Sequence, residues 1–316
     1  MRRLLLISVL LTVHCDTKEP ANSGGSGGDG GAGSASSNGT AGDGGSGGSN
    51  NGGGGEGVGA GGPTGMWTAL ITGDWDLPPF DENTNDLHTV VLDRDIYVGA
   101  IRPISPQGTH HTVLYLDGTS SLRTIYASGV GTNELIFPTG VGLKLEAGES
   151  LGLQLHTFNP SGEALSGTSG IEIIEVEAED IVDEAEVFLP GPVALEIGPN
   201  QVTTDGGICT LNQEQNIFAL FPHMHQLGTH LKTTLTIGGQ PQVLHDAAYT
   251  FEEQAFIPFE PISMNAGDTI TTECTWNNTT PDTVGWGESS TAEMCFSILY
   301  RYPAQSGAGG IGICSN

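Results

Sequence analysis

From residue 66 onward the chain is a succession of short segments in which apolar and polar residues alternate, separated by turns rich in Gly, Pro, Asn and Asp. Alternation puts successive side chains on opposite faces of an extended backbone, which is typical of half-buried β-strands. No segment keeps a 3.6-residue apolar period for more than two turns, so the pattern argues against a helical core. The clearest strand segments are 96–101, 112–116, 151–155, 171–176 and 231–237.

Many short strands of this kind predict an all-β fold of two tandem antiparallel β-sandwich domains, of a jelly-roll-like kind. The acidic run 177–184 interrupts the strand pattern and predicts the boundary between the two domains. We therefore assign residues 66–181 to an N-terminal domain and residues 182–316 to a C-terminal domain. Four cysteines lie after residue 208 and none between 66 and 208, which also separates the two parts.

The residues before this globular part predict export. Arg2 and Arg3 precede an apolar run, 4–13, that is too short to span a bilayer and is typical of a signal peptide. We predict that residues 1–15 form this signal peptide. Residues 16–65 are predicted to form a disordered Gly/Ser-rich tether, because such a composition buries too little apolar surface to offset its ordering entropy.

The cysteines extend this prediction. Cys15 directly follows the apolar run and is a candidate lipidation site of a bacterial lipoprotein, with simple secretion as the alternative. Either route leads to the cell envelope or the extracellular space, where an oxidising environment lets cysteines pair. The other four cysteines allow three disulfide pairings; these cysteines are Cys209, Cys274, Cys295 and Cys314. The sequence has no Cys-x-x-Cys pair that would favour a thiolate zinc site.

The charge of the chain limits its partners. A formal net charge of −28 argues against nucleic acid, whose phosphates require a basic surface, and against electrostatic docking to anionic lipid. We expect a monomer that acts on a small molecule. Membrane contact is expected only through a lipid anchor, if Cys15 is lipidated.

Five of the nine histidines fall in three short motifs, and the last motif is the simplest to interpret. His223 and His225 are one residue apart, so on a strand they share a face and can bind one metal ion. Met224 then points to the opposite face and is expected in the core. Three other histidines stand alone and are expected to be hydrogen-bonded surface or half-buried residues: His88, His230 and His245.

The other two motifs lie in the first domain. His156 shares a strand face with Gln154, opposite the leucines of the same segment, so that face is polar or opens on a cleft. His110 and His111 are adjacent, and a regular strand would send them to opposite faces. Joint binding of a metal by this pair therefore requires a β-bulge or a strand end.

The histidines alone leave the metal open, because imidazole suits zinc, copper, nickel and iron. A thioether ligand would favour copper, since soft sulfur stabilises Cu(I). Met294, within the segment 290–295, is the methionine that we consider for this role.

In this order and spacing, the motifs resemble those of the type II, ascorbate-dependent copper monooxygenases, the family of peptidylglycine α-hydroxylating monooxygenase and dopamine β-monooxygenase. The resemblance covers residues 80–303 and implies the two tandem sandwiches inferred above. The motifs that carry it are HHTVLY at 110–115, QLH at 154–156, FPHMHQLGT at 221–229 and EMC at 293–295.

The resemblance implies two copper ions that cycle between Cu(I) and Cu(II), O₂ as oxidant, and ascorbate or a similar external one-electron reductant. The first-domain copper would transfer electrons, and its implied ligands are His110, His111 and His156. The second-domain copper would meet O₂ and substrate, and its implied ligands are His223, His225 and Met294. Gln154 matches a family position near the inter-domain cleft and could order water there; a polar surface residue is the alternative.

The resemblance also selects one pairing of the cysteines, Cys209 with Cys314 and Cys274 with Cys295. The second disulfide would fix the strand that carries Met294, because Cys295 follows it directly. The family's first domain usually has disulfides of its own, and this chain has no cysteines there.

The substrate is constrained by three positions. The peptide-amidating branch of the family uses Arg, Asn and Tyr to bind a substrate carboxylate, and the matching residues here are Phe221, Phe296 and Ile298. An apolar pocket in an acidic protein favours a neutral or cationic organic molecule. Two other functions stay open: a non-catalytic copper-binding or scavenging lipoprotein, and a structural or adhesive β-sandwich with incidental histidines.

Overall fold

The computed structural model describes residues 62–116, 124–251, 254–289, 291–306 and 311–315. The predicted signal peptide, Cys15 and the tether up to residue 61 lie outside the described residues. All described residues belong to one compact unit, Gly59–Asn316. None of them forms a helix long and apolar enough to cross a membrane.

The described part of the chain is all-β, as the alternation predicts. The acidic run carries a 3₁₀ turn, Ala178–Asp180. The first nine strands are β1 Trp67–Leu77, β2 Glu82–Val91, β3 Ile96–Ile104, β4 Thr109–Leu116, β5 Thr124–Ser128, β6 Leu135–Ile136, β7 Val141–Leu145, β8 Ser150–Phe158 and β9 Leu165–Glu175. The others are β10 Asp183–Pro190, β11 Glu196–Ile197, β12 Gln201–Thr210, β13 Gln215–His223, β14 Gly228–Ile237, β15 Gln240–Ala248, β16 Ile257–Met264, β17 Thr269–Asn278, β18 Val284–Gly285, β19 Phe296–Tyr302 and β20 Ile311–Cys314.

One large sheet runs through both halves of the globular part. Its order is β1-β9-β3-β7-β10-β19-β13-β16, with β6 and β20 paired to β3 and β10. The first half adds the four-stranded sheet β2-β8-β4-β5, and the second half adds β12-β17-β14-β15 and the small pair β11-β18. Strands β7 and β10 pair in parallel across the boundary predicted at residue 181, so hydrogen bonding is continuous there. The residue limits of two separate domains stay a prediction.

The main hydrophobic core also draws on both halves. Leu114 and Tyr126 of the sheet β2-β8-β4-β5 belong to the same buried cluster as Phe218, Phe296 and Tyr300 of the second half. Several of these side chains are almost completely buried, and each such aromatic or leucine contributes about 1.5–3 kcal/mol through lost apolar surface. This packing leaves the opposite face of strands β4 and β8 for polar side chains.

Both predicted disulfides are present. Cys209–Cys314 joins β12 to β20, at opposite ends of the second half in sequence. Cys274–Cys295 joins β17 to the residue directly before β19. The second bond therefore anchors the segment that carries Met294.

Candidate metal centres

The first cluster forms where β4 and β8 pair. The register of the two strands shifts between Thr109 and His111, and His111 lies opposite His156. This shift is the bulge that joint binding by two adjacent histidines requires. As a result the ring of His110 lies 4.3 Å from that of His111 and 4.7 Å from that of His156, measured between centroids.

Each of these three histidines directs its Nδ1 atom toward the other two rings. The Nδ1 atoms of His110 and His111 are 2.9 Å apart, and those of His111 and His156 are 3.2 Å apart. A four-coordinate ion bound by imidazole at about 2.0–2.1 Å separates its ligand nitrogens by about 3.3 Å. The cluster therefore fits one metal ion. Within the described ranges it is the one group of three His, Cys, Asp or Glu side chains that converges closely enough to do so.

Glu82 supports this cluster from behind. Its Oε1 accepts a hydrogen bond of 2.7 Å from Nε2 of His156, the nitrogen that points away from the other two histidines. A carboxylate on the distal nitrogen fixes the tautomer and the ring orientation of a metal-binding histidine. Sequence reasoning missed Glu82, because only the pairing of β2 with β8 brings it to His156.

We predict that Glu82→Ala lowers the copper affinity of the first cluster by about 10- to 100-fold, the range typical of a lost partner behind a ligand. Competition with a chromophoric Cu(I) chelator measures this affinity. Glu163→Ala is the matched control, since Glu163 is an exposed acidic residue in the turn after β8. Equal affinities of the two variants would contradict the role of Glu82.

The second histidine pair lies at the end of β13. The strand ends at His223. His225 lies in the following turn, which is closed by a hydrogen bond from the Gly228 N–H to the His225 carbonyl. The prediction that both histidines lie on one regular strand is therefore wrong. The two rings still face each other, with centroids 5.3 Å apart and planes at 83°. The turn thus brings the two imidazole rings as close together as a shared strand face was expected to bring them.

Acceptors on neighbouring segments fix the tautomers of this pair. Nδ1 of His223 donates to Oε1 of Gln254 at 2.9 Å, and Nδ1 of His225 donates to the carbonyl of Ala292 at 3.0 Å. Because Nδ1 carries the proton in both rings, Nε2 is the atom that can bind a metal. Neither Gln254 nor Ala292 has a sequence signal, since both belong to loops distant in sequence.

The protonation state of the pair also suits metal binding. Burial, and then the neighbouring His225, lower the pKa of His223 to about 3. Burial likewise lowers the pKa of His225. Both imidazoles are therefore neutral at neutral pH, which is the form that binds metals.

The two methionines near this pair occupy different environments. Met224 is 0% exposed and packs with Tyr249 and Trp276 in a separate core cluster, as its predicted core role requires. Met294 is 1% exposed and belongs to the main core cluster together with Phe221. The backbone of Met294 directly follows Glu293, whose carboxyl accepts the N–H of His225 at 3.0 Å.

The polar face of the first cluster approaches the loop that precedes Met294. Tyr115 follows the histidines on β4, and its hydroxyl donates to Oε1 of Gln154 at 2.7 Å. Burial, and then the carboxylate of Glu288, raise the pKa of this tyrosine. Gln154 is thus held within a polar contact near the second half of the chain and is not an isolated surface residue.

The positions predicted to line an apolar pocket are packed. Phe221, Phe296 and Ile298 are all below 5% exposed and belong to the main core cluster. The ring of Phe256 covers Phe221 at 4.8 Å and stacks on Tyr126 of the first half at 5.3 Å. These side chains keep the apolar character that was predicted, but none is exposed enough to touch a substrate in this conformation.

The lone histidines behave as expected of residues outside a site. His88 contacts Asp86 at 3.2 Å, and His230 contacts Asp246 at 3.0 Å. Burial lowers the pKa of His245. All three are half-buried side chains, on β2, β14 and β15 respectively.

Known proteins match the half that carries the second pair. A family model described as the C-terminal domain of copper type II ascorbate-dependent monooxygenases matches residues 184–309. This part of the chain is therefore similar to the C-terminal domain of that family. The matched residues include both histidines of the second pair, Met294, and three of the four paired cysteines; Cys314 lies outside the match.

Individual relatives point to the same family. DBH-like monooxygenase protein 1 of Gallus gallus is 26% identical over 202 residues, and its Homo sapiens counterpart is 27% identical over 205 residues. Each match covers 57% of this chain and 33% of the relative, so the chain spans about a third of the length of these relatives. A structure of infectious bursal disease virus, Gx strain, aligns over 76% of this chain and 72% of its own at 11% identity, with a TM-score of 0.16 that supports no comparison of folds.

Proposed function

We propose that the protein is a copper-dependent monooxygenase that hydroxylates a C–H bond of a small neutral or cationic organic molecule. In such a reaction one atom of O₂ enters the C–H bond as a hydroxyl and the other leaves as water. Two electrons and two protons complete the balance, and ascorbate or a similar external reductant would supply the electrons. The match of residues 184–309 to the family model supports the reaction class.

The observation that carries the proposal is the convergence of three Nδ1 atoms in a chain whose other half matches the family. We propose that two copper ions bind per chain, one at each histidine cluster. Copper, when bound, supplies one-electron redox chemistry and the activation of O₂. The proposed ligands are His110, His111 and His156 at the first cluster and His223, His225 and Met294 at the second.

The chain's own residues suit this division of labour. The first cluster is fully nitrogenous and half-buried, which fits a site that only accepts and passes on an electron. The second has two neutral imidazoles and a buried thioether, so it offers a softer donor set that favours Cu(I). Separate sites allow two electrons to be stored one at a time.

We propose that the protein acts outside the cytoplasm, in the cell envelope or the extracellular space. Its two disulfides support this location, because such bonds persist in oxidising compartments. Lipidation of Cys15 remains part of the proposal and follows from the apolar run before it.

A non-catalytic copper-binding lipoprotein is the second candidate. The packed state of Phe221, Phe296 and Ile298 favours it, since a substrate would need these side chains to move. A binder of this kind would hold copper at both clusters without turnover.

Oxygen uptake separates the two candidates. The copper-loaded protein is mixed with ascorbate and a panel of amines, phenols and acylated amino acids, and O₂ consumption is recorded. A monooxygenase consumes O₂ in a substrate-dependent way, whereas His223→Ala at equal total copper gives only the background of ascorbate oxidation. Equal rates in both proteins for every substrate would favour the binder.

A further inference from the structure

Glu293 adjoins the second candidate site; in the sequence it is the first residue of the EMC motif, where no role was assigned to it. Its side chain is 0% exposed. One carboxyl oxygen, Oε2, accepts the N–H of His225 at 3.0 Å and the indole N–H of Trp276 at 2.9 Å. The other, Oε1, accepts the N–H of Leu227 at 2.7 Å. Met294 directly follows Glu293 in the chain.

These donors come from segments that are far apart in sequence. His225 and Leu227 belong to the turn after β13, and Trp276 belongs to β17. Glu293 itself lies two residues before the second cysteine of a disulfide and directly before Met294. Through these three hydrogen bonds and the peptide bond to Met294, one residue links the backbones of two proposed copper ligands, His225 and Met294.

The segment that carries Met294 is held in place without this side chain. The Glu293 N–H donates to the Gly285 carbonyl at 3.0 Å, and the Gly287 N–H donates to the Glu293 carbonyl at 3.1 Å. The Cys274–Cys295 disulfide anchors the same segment from its other side. What the carboxyl adds is the attachment of the His225 turn to this already fixed segment.

Burying a carboxyl group is costly unless donors surround it. A neutral residue could fill the same volume at lower cost, but it could not accept hydrogen bonds from His225, Leu227 and Trp276 at once. The arrangement thus connects two segments more tightly than packing alone would.

We propose that Glu293 is a positioning residue whose carboxyl sets the separation between His225 and Met294, so that imidazole and thioether can bind one copper ion. This inference rests on the proposed ligands of the second site. It adds a residue that touches neither substrate nor metal and acts through the two ligands that it connects.

The test uses the full chain with His110→Ala as background, so that the second site is the one under study. Protein loaded with Cu(I) alone is examined by X-ray absorption for a copper–sulfur shell, and its Cu(I) affinity is measured by chelator competition. We expect the background protein to show the sulfur shell. Adding Glu293→Gln should weaken Cu(I) binding by at least about 10-fold and remove the sulfur shell, because the new amide N–H₂ faces N–H donors.

Trp276→Phe in the same background is the matched control. It removes one donor from the same carboxyl oxygen and keeps a buried aromatic ring, but it leaves the contact with His225 intact. We expect this variant to retain the sulfur shell and to bind Cu(I) within about 3-fold of the background. Glu293→Asp, whose side chain is one methylene too short to reach both segments, replaces the glutamine variant if that protein does not fold, with the same loss expected.

Three results would overturn the inference. In the first, the Glu293 variants keep both the affinity and the sulfur shell. In the second, Trp276→Phe loses as much as they do, which would make the network a general support of the fold. In the third, the background protein itself binds Cu(I) without sulfur; this would refute Met294 as a ligand, and with it the proposed second site, before Glu293 is considered.

Discussion

Met294→Ile is expected to reduce ascorbate-driven O₂ uptake by at least about 10²-fold, equivalent to roughly 2.7 kcal/mol of activation free energy. Isoleucine keeps similar apolar bulk at a position that is almost completely buried, so the fold and the copper of the first cluster should persist. What is lost is the thioether, a soft neutral donor that favours Cu(I) and tunes reactivity more than affinity. Oxygen uptake and copper content, measured on the same preparation, distinguish these effects.

Two further variants test whether the loss of the thioether causes this decrease in activity. Met294→His supplies a harder donor that should still bind copper but leave the protein nearly inactive. Met224→Leu should be close to neutral in both copper content and turnover, because Met224 packs in a different core cluster, against Tyr249 and Trp276. Activity that survives Met294→Ile and disappears with Met224→Leu would mean that the assignment of the sulfur ligand is wrong.

Removing either disulfide is expected to lower the free energy of unfolding by about 2–5 kcal/mol. The two bonds should differ in a way that depends on their position. Cys209–Cys314 spans 105 residues and Cys274–Cys295 spans 21, so the chain-entropy model predicts the larger stability loss for the first. Copper binding should show the reverse order, because only the second bond adjoins Met294.

Double Cys→Ala variants of each pair test this prediction. Denaturant unfolding, with the slope fitted separately for each variant, gives the stability change, and chelator competition gives the copper affinity of the second site. Non-reducing peptide mapping of protein recovered from the cell envelope checks the pairing itself. A Cys295 that is free, or that is paired with Cys314, would contradict both the assignment and the expected order.

The sequence predicts those parts of the site that depend on local spacing. Alternation identifies the strands, and the adjacency of His110 and His111 is enough to predict that a bulge is needed, which β4 provides. The Cys274–Cys295 bond follows from the resemblance and is present. In each case the relevant residues are close in sequence or belong to a recognisable motif.

The residues that orient the histidines could not be predicted, because their positions depend on long-range pairing. Glu82 reaches His156 only through the register of β2 and β8, and Gln254 reaches His223 from the connection between β15 and β16. The end of β13 at His223 is likewise set by the following turn and not by alternation.

Packing between the two halves is the other feature that escapes sequence analysis. Apolar residues at positions 221, 296 and 298 would line a pocket if the two halves of the globular part were separated. The same residues form a shared core if the two halves pack against each other. Periodicity within a strand does not distinguish these outcomes. Phe256 contacts the ring of Phe221 and stacks on Tyr126, so in this conformation the two halves share a core.

The most direct test of the central claim is the number of copper ions bound per chain after reconstitution and removal of excess metal. We expect two in the wild-type protein and about one in each of the variants His110→Ala and His223→Ala, because each substitution removes an imidazole from a different cluster. The double variant should bind almost none. A wild-type stoichiometry of one, the loss of both ions from a single substitution, or a preference for zinc in direct competition would contradict two independent copper sites.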